Sequence, residues 1–478
     1  MGTVASHKLQ GLTSADCWTL FKQRAFGPGR EEETPRLVEI GKQIVEKCGG
    51  LPLAAKALGS IMSSRRGEAE WSHVRDSELW RLPVDDNSML PALRLSYDLK
   101  QCFAYCSIFP KDYEIEGKKL IQLWIAEGFI ETLDGDMHEE EVGNRYFNCL
   151  LWRSFFQDVE MDYSDNIRTC KMHDLVHDLA CSVAGDKSSI MEVSMKRSIP
   201  HGCRYSSVVY DRTMPSTTLK AAFVSKKLRS LISTGLWIPL QEFVFHATSS
   251  LTHLRALDLS RIGMERLPCT ISGLKHLRLL GASHTDIEAL PGSITDLRNL
   301  RTLKLEWCWR LKSLPEGISN MSSLSHLDIS GCGRLTCMPR WLGRWSNLQT
   351  MPMFIVGKEH GRSISESEHL NLLSGYLVIS NLGNVQDPME ATKANLASKI
   401  NLRSLDLMWN GVLYEALMAA SPVAEVEEVL ERFQPHSNLE WLCITYHPGI
   451  RFPTWMTGME LASSPIRNLV GIRLSRLK

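Results

Sequence analysis

From Leu254 onward, apolar and polar positions alternate in a fixed frame. Leu254, Leu257 and Leu259 spell L-x-x-L-x-L, and the frame returns at Leu277/Leu280/Ala282, Leu300/Leu303/Leu305, Leu324/Leu327/Ile329 and Leu348/Met351/Met353. Successive first positions stand 23, 23, 24 and 24 residues apart. That is the period of leucine-rich repeats, each of which adds one short strand to a curved parallel sheet. Leu267-Pro268, Leu290-Pro291, Leu314-Pro315 and Met338-Pro339 follow at a matching offset. Residues 353–385 are expected to break the period; Leu402/Leu405/Leu407, Leu439/Leu442/Ile444 and Leu469/Ile472/Leu474 resume it. Asp258, Ser260, Lys304, Glu306, Asp328 and Ser330 stand between the leucines, so they are expected on the concave, protein-binding face. Trp307, Trp309, Trp341, Trp345 and Trp409 are candidate interface anchors, with local packing as the plainer role. No polar capping repeat follows the final strand pattern, so the solenoid is expected to be truncated at its C-terminus.

Upstream the apolar spacing is helical. Thr13 or Ser14 caps a helix carrying Trp18, Leu20 and Phe21, and Gly27-Pro28-Gly29 ends it. Pro35 opens a second helix with Leu37, Ile40, Ile44 and Val45 on one side, closed by Cys48-Gly49-Gly50. Pro52 starts a third, and Trp71 and Val74 mark a fourth. Residues 1–82 therefore read as a helical unit. In residues 83–185, a helix stopped by Pro110 and another over Lys119–Phe129 precede strand-like runs at Phe155–Val159 and Ile167–Met172. Helices followed by such a hairpin have the shape of a winged helix. Residues 186–250 read as a connector, with Lys227–Leu231 as a candidate first irregular repeat, and 251–478 as the repeats. The predicted fold is multidomain: an α-helical subdomain and a winged helix (α+β), then an α/β leucine-rich-repeat solenoid.

Composition narrows the function. The 54 basic and 54 acidic residues cancel, which removes the bulk attraction behind non-specific nucleic-acid binding. Thirteen dispersed cysteines without zinc-finger spacing fit reduced thiols in a cytoplasmic or nuclear protein. No apolar run approaches the roughly 18 residues of a membrane span.

The stretch Lys171–Ala180, KMHDLVHDLA, carries the candidate chemistry. Met172, Leu175, Val176 and Leu179 recur at helical spacing and are expected to be the buried side. His173 and Asp174 fall at the first turn, where unpaired N–H groups and the helix dipole favour an anion such as phosphate. His173 and His177 stand four apart, but a zinc protease needs Glu after the first histidine and a third ligand, and Asp174 follows here. The alternative role for His173 is a plain surface histidine.

Four stretches in this order resemble plant intracellular immune receptors of the nucleotide-binding leucine-rich-repeat type. They are Asp16–Phe21, the run Cys48-Gly49-Gly50-Leu51-Pro52-Leu53-Ala54, Cys102–Pro110 with Leu123–Phe129, and Met172-His173-Asp174. The resemblance is to the cereal coiled-coil branch. It implies an NB-ARC module that ADP holds shut and ATP opens, with Pro52 and Leu53 at the adenine, and His173 and Asp174 at the phosphate. It also implies protein partners: other receptor domains, pathogen effectors or guarded host proteins. No catalysis, nucleic acid or membrane span is implied, and the location is cytoplasmic or nuclear. The sequence contains no G-x-x-x-x-G-K-[ST] and no aspartate-ended apolar strand upstream for magnesium. The chain therefore reads as N-terminally truncated, with ADP/ATP binding weak or absent and no magnesium of its own. A short turn between Asp98 and Leu99 is also missing relative to the family, which is expected to strain the junction there. The alternative to a receptor-like role is a non-enzymatic scaffold or a non-functional gene fragment.

Overall fold

The computed structural model describes residues 11–26, 35–50, 52–63, 67–76, 97–131, 138–152, 155–161, 167–192, 199–209, 225–235, 238–409, 423–457 and 466–475. They fall into two compact units, divided between Ser188 and Ser189.

The first unit opens with four helices, α1 (Ser14–Ala25), α2 (Pro35–Glu46), α3 (Pro52–Ser63) and α4 (Glu68–Asp76). Thr13 caps α1 by accepting the Asp16 N–H at 3.2 Å, which satisfies one of the orphan donors of the first turn. Trp71 is buried between Phe21 and Phe26, ring centroids 6.0 and 5.2 Å away. α5 (Tyr97–Tyr105) runs unbroken through Asp98-Leu99, where strain was expected; residues 77–96 lie outside the described residues.

A short strand β1 (Ile115–Glu116) leads into α6 (Gly117–Glu127). Gly128 ends α6 in the left-handed region, φ 78°, which lets its N–H and that of Phe129 turn back onto the last helical carbonyls. α7 (Glu139–Trp152) precedes the hairpin β2 (Phe156–Met161) and β3 (Ile167–Met172), and its Phe147 ring stacks on Phe156 at 5.1 Å. The hairpin is antiparallel as predicted, with its turn outside the described residues. Sequence reading missed the third strand: β1 pairs with β3, so the sheet order is β1-β3-β2.

α8 (Asp174–Ala184) closes this unit against α5 and the turn at Cys106–Ile108. Its buried face is His177, Ala180 and Ala184, not the predicted apolar set: Leu175 is 74 % exposed, Val176 and Leu179 are half-buried, and Met172 belongs to β3. The small alanines bring the helix close enough for His177 Nε2 to donate to the Phe109 carbonyl at 2.8 Å.

The second unit is a solenoid with two parallel sheets. β4 (Ser188–Glu192), β5 (Tyr205–Val209) and β6 (Ser230–Ser233) form one end of the first. β7 (Ile238–Pro239) and α9 (Gln241–Ser250) follow, then β8 (Ala256–Asp258) and β9 (Ile262–Gly263), which pairs with β7. β10 (Leu279–Gly281), β11 (Thr302–Lys304) and β12 (His326–Asp328) complete the first sheet, order β12-β11-β10-β8-β6-β5-β4. Within the stretch read as a connector, β4, β5 and β6 are thus strands of the first sheet and β7 pairs with β9. Leu257, Leu280, Leu303 and Leu327 align in register, as the repeat frame requires.

The second sheet starts inside the predicted break. It runs β13 (Met353–Ile355), β14 (Gly375–Ser380), β15 (Leu402–Met408), β16 (Trp441–Thr445) and β17 (Gly471–Ser475), in that order. α10 (Pro388–Lys393), α11 (Val423–Arg432) and α12 (Thr454–Thr457) lie between its later strands. One continuous leucine-lined core fills the solenoid. Within it Lys399 is fully buried, its Nζ donating to the Ser367 carbonyl at 2.8 Å.

Two outcomes follow from these buried polar groups. Burial pulls the Lys399 ammonium down to about 8, against roughly 10.4 in an unfolded chain. The unfolded state then holds the extra proton between those values, so stability is fullest above about 10 and is lost as pH falls through 8. Urea unfolding of wild type against Lys399→Met should show a difference that grows in favour of wild type by about 2 kcal/mol from pH 8 to 10. His177→Ala should destabilise the first unit by about 2–3 kcal/mol, since it leaves the Phe109 carbonyl unpaired beside a new cavity. A urea midpoint unchanged from wild type would refute that role.

Candidate functional site

His173 is the N-cap of α8, with extended backbone, φ −64° and ψ 141°. Its Nδ1 accepts the Leu175 N–H at 3.2 Å. An accepting Nδ1 carries no proton, so the neutral ring keeps its hydrogen on Nε2. The ring is half-buried. Its remaining donor therefore sits at a helix N-terminus where the dipole favours negative charge.

Asp174 is exposed on the first turn of α8. Its charge acts on Lys111, which also meets Asp178 one turn further at 2.8 Å. That pairing holds Asp178 below the usual carboxylate range. Asp174 and Asp178 thus face the segment after Pro110, and Lys111 offsets carboxylates that would otherwise repel an anion. His177 is the core histidine of the pair: its Nε2 is committed to Phe109. Among the described residues no group of three potential metal ligands comes together.

Pro52 is exposed at the start of α3, which packs on α1 and touches α7 and β2. The Leu53 side chain lies outside the described residues. α8 packs instead on α5 and the turn at Cys106–Ile108.

In the solenoid, the six expected concave positions divide. Asp258 and Lys304 are buried; Ser260, Glu306, Asp328 and Ser330 are half-buried. Asp258 Oδ1 accepts from the Ser260 N–H at 2.9 Å and from its hydroxyl at 2.5 Å. Asp328 and Ser330 repeat the arrangement at 3.0 and 2.7 Å. These four residues build the turns that end β8 and β12. The positions after these turns follow a second pattern, of which sequence reading had singled out Trp307 alone. Arg261, His284, Trp307 and Gly331 share positive φ of 63°, 56°, 56° and 73° in successive repeats. His284 stacks on Trp307, centroids 6.4 Å apart, and the Trp307 ring lies where a side chain at Gly331 would stand. The glycine at the fourth turn was the available signal.

Trp307, Trp309 and Trp341 are exposed, by 58 %, 52 % and 43 %. Arg310 and Arg334 lie 5.6 and 5.4 Å from the Trp309 ring. Trp345 and Trp409 are buried, Trp345 donating to the Ile318 carbonyl at 3.0 Å, so these two serve packing. All thirteen cysteines are free thiols. Among the described residues no helix is long and apolar enough to cross a membrane.

Known proteins share these features. The family described as "Disease resistance protein Winged helix domain" matches residues 108–180. "Leucine-rich repeat region" matches 239–420 and "R13L1/DRL21 LRRs" matches 364–478. Disease resistance protein RGA2 of Solanum bulbocastanum is 46 % identical over 490 residues, covering 100 % of this chain and 46 % of that protein. Putative disease resistance protein RGA1 of the same species is 41 % identical over 479 residues, 99 % of this chain and 44 % of its own length. Putative disease resistance RPP13-like protein 1 of Arabidopsis thaliana is 37 % identical over 470 residues, covering 96 % and 44 %. The chain spans about half the length of the curated relatives it matches. By its winged helix and its leucine-rich repeats, the chain belongs to the disease resistance protein family.

Proposed function

We propose that the chain is a portion of a cytoplasmic or nuclear immune receptor of the coiled-coil branch. In this reading it acts in plant defence by binding and regulation, without catalysis of its own. The winged helix senses an adenine nucleotide, and the repeats bind proteins such as other receptor domains, pathogen effectors or guarded host proteins.

The observation that carries the nucleotide part is the ring of His173. With Nδ1 engaged by Leu175, its Nε2–H is a donor for a phosphate oxygen at the start of α8. A contact to one phosphate state gives the nucleotide a differential hold on the winged helix, which is what a two-state switch needs. Pro52 and Leu53 would supply an apolar surface for adenine, and Asp174 would position α8 through Lys111.

This polypeptide contains no G-x-x-x-x-G-K-[ST] segment, so the backbone cradle that dominates phosphate affinity in that motif is absent from it. ADP should bind weakly, at about millimolar affinity, roughly −4 kcal/mol. Isothermal titration of the purified chain should show that weak binding, reduced several-fold by His173→Ala. Nanomolar retention, or equal binding by both proteins, would contradict the assignment.

A further inference from the structure

The second sheet carries a side-chain cluster that the nucleotide reading does not use. In β15, Ser404, Asp406 and Met408 alternate with buried Leu405 and Leu407, so they stand on the face turned away from the leucine core. Strand register extends that face sideways. Tyr376, Ser404 and Trp441 line up across β14, β15 and β16, and Asp406, Cys443 and Arg473 line up in the next row across β15, β16 and β17. Tyr376 and Trp441 are both exposed, with the small Ser404 between them. Neighbouring strands stand about 4.8 Å apart, so the two aromatic residues leave the sheet about 10 Å apart. The Trp441 ring leans toward β17, where a Cβ at Gly471 would meet it at 2.3 Å. The missing side chain at Gly471 gives the indole that place.

Asp406 stands half-buried beside this pair, in the adjoining row. Thr445 donates its hydroxyl to Asp406 Oδ1 at 3.5 Å. Burial lifts the Asp406 carboxyl above its usual range against the pull of the Cys443 and Thr445 donors, so those neutral groups do not replace the solvation it has lost. Its charge also feels Arg473, two strands along and about 9.6 Å away between backbones. Among the described residues no cation comes within ion-pair distance of Asp406. Arg403 and Glu440, at the strand entries, pair with each other at 3.6 Å. The face therefore presents a partly desolvated carboxylate beside two exposed rings.

We infer that Tyr376, Trp441 and Asp406 form a site for a single arginine side chain of a protein partner. The inference rests on the repeats being a protein-binding module. A guanidinium is flat, stacks on aromatic faces and pairs with a carboxylate through two parallel N–H bonds. One flat group between two rings needs about 7 Å at van der Waals contact, which the ~10 Å separation across Ser404 accommodates. Lysine offers a hydrated point charge that uses the carboxylate but gains less from the rings. Nucleic acid or an acidic lipid surface would bring negative charge onto Asp406. Arg473, beyond Cys443, repels a second cation, so the site takes one basic residue and not a basic run. Tyrosine, tryptophan and arginine are also the types that dominate binding energy at desolvated contacts.

The test uses the full chain labelled with fluorotryptophan, the Trp441 resonance being assigned with Trp441→Phe. The probe is a lactam-closed peptide of glycine and serine that presents one arginine. Comparators replace that arginine with citrulline, which keeps its shape without its charge, with lysine or with glutamate. The arginine peptide should move the Trp441 fluorine resonance and bind at least tenfold tighter than the citrulline peptide, with the lysine peptide between. Asp406→Asn, which keeps the size of the side chain, should lower arginine-peptide affinity at least tenfold. Asp296→Asn, an equal change of charge at an exposed turn, should change it less than twofold. Ser404→Arg, which supplies a guanidinium to the slot from within, should abolish binding. Equal affinities for the arginine and citrulline peptides, equal losses in the two asparagine variants, or an arginine peptide that leaves Trp441 unmoved would overturn the inference. A response to the glutamate peptide alone would overturn it too, yet keep the repeats a protein-binding surface. None of these results touches the His173 assignment, which is read by ADP titration.

Discussion

The hydrogen bond from His177 Nε2 to the Phe109 carbonyl fixes how the winged helix presents itself. It ties the middle of α8 to the end of the α5 segment, where Pro110 stops the chain from continuing as a helix. Ala180 and Ala184 make the approach possible because they add little bulk on the same face. His173 stands half-buried at the N-terminus of the same helix. The cap bond to Leu175 then sets which ring nitrogen carries the proton. Two histidines four residues apart thereby differ: one is buried and bonded to a carbonyl, the other caps the helix.

The solenoid rests on a different constraint, lateral register. Each strand-entry N–H bonds the preceding rung, the leucines align behind it, and a residue of positive φ turns the chain out after the strand. Any chemistry placed at a fixed offset in the repeat is therefore multiplied into a row. Buried leucines become a core, Asp-x-Ser becomes a strand-ending turn, and the side chains between the leucines become rows across the outer face. Regular backbone converts local sequence into an extended surface.

Much of this was legible beforehand. The 23- and 24-residue steps located β8, β10, β11 and β12, and the looser frames located β15, β16 and β17. Other strands were hidden by their composition. β5 carries Ser206 and Ser207 ahead of its valines, which dilutes its leucine frame, so the segment reads as a linker; β6 overlaps the irregular repeat read at Lys227–Leu231. The face of α8 was misread because hydrophobicity was taken as burial. Close helix packing selected alanine and a hydrogen-bonded histidine, and left Leu175 in solvent. Asp258 and Lys304 show the limit of strand alternation: it tells which side a residue lies on, not whether neighbours cover it. Exposed Trp307 escaped the alternation pattern because its position follows the strand, in a turn set by backbone conformation.

The central claim is that α8 presents His173 with its Nε2–H outward as a phosphate contact. The most direct measurement is long-range ¹H–¹⁵N correlation on histidine-labelled chain, assigned with His173→Gln, during ADP addition. The expected result is an Nε2-protonated tautomer at His173 whose Nε2 resonance moves with ADP while that of His177 stays in place. An Nδ1-protonated His173, or a ring unaffected at saturating ADP, would contradict the claim.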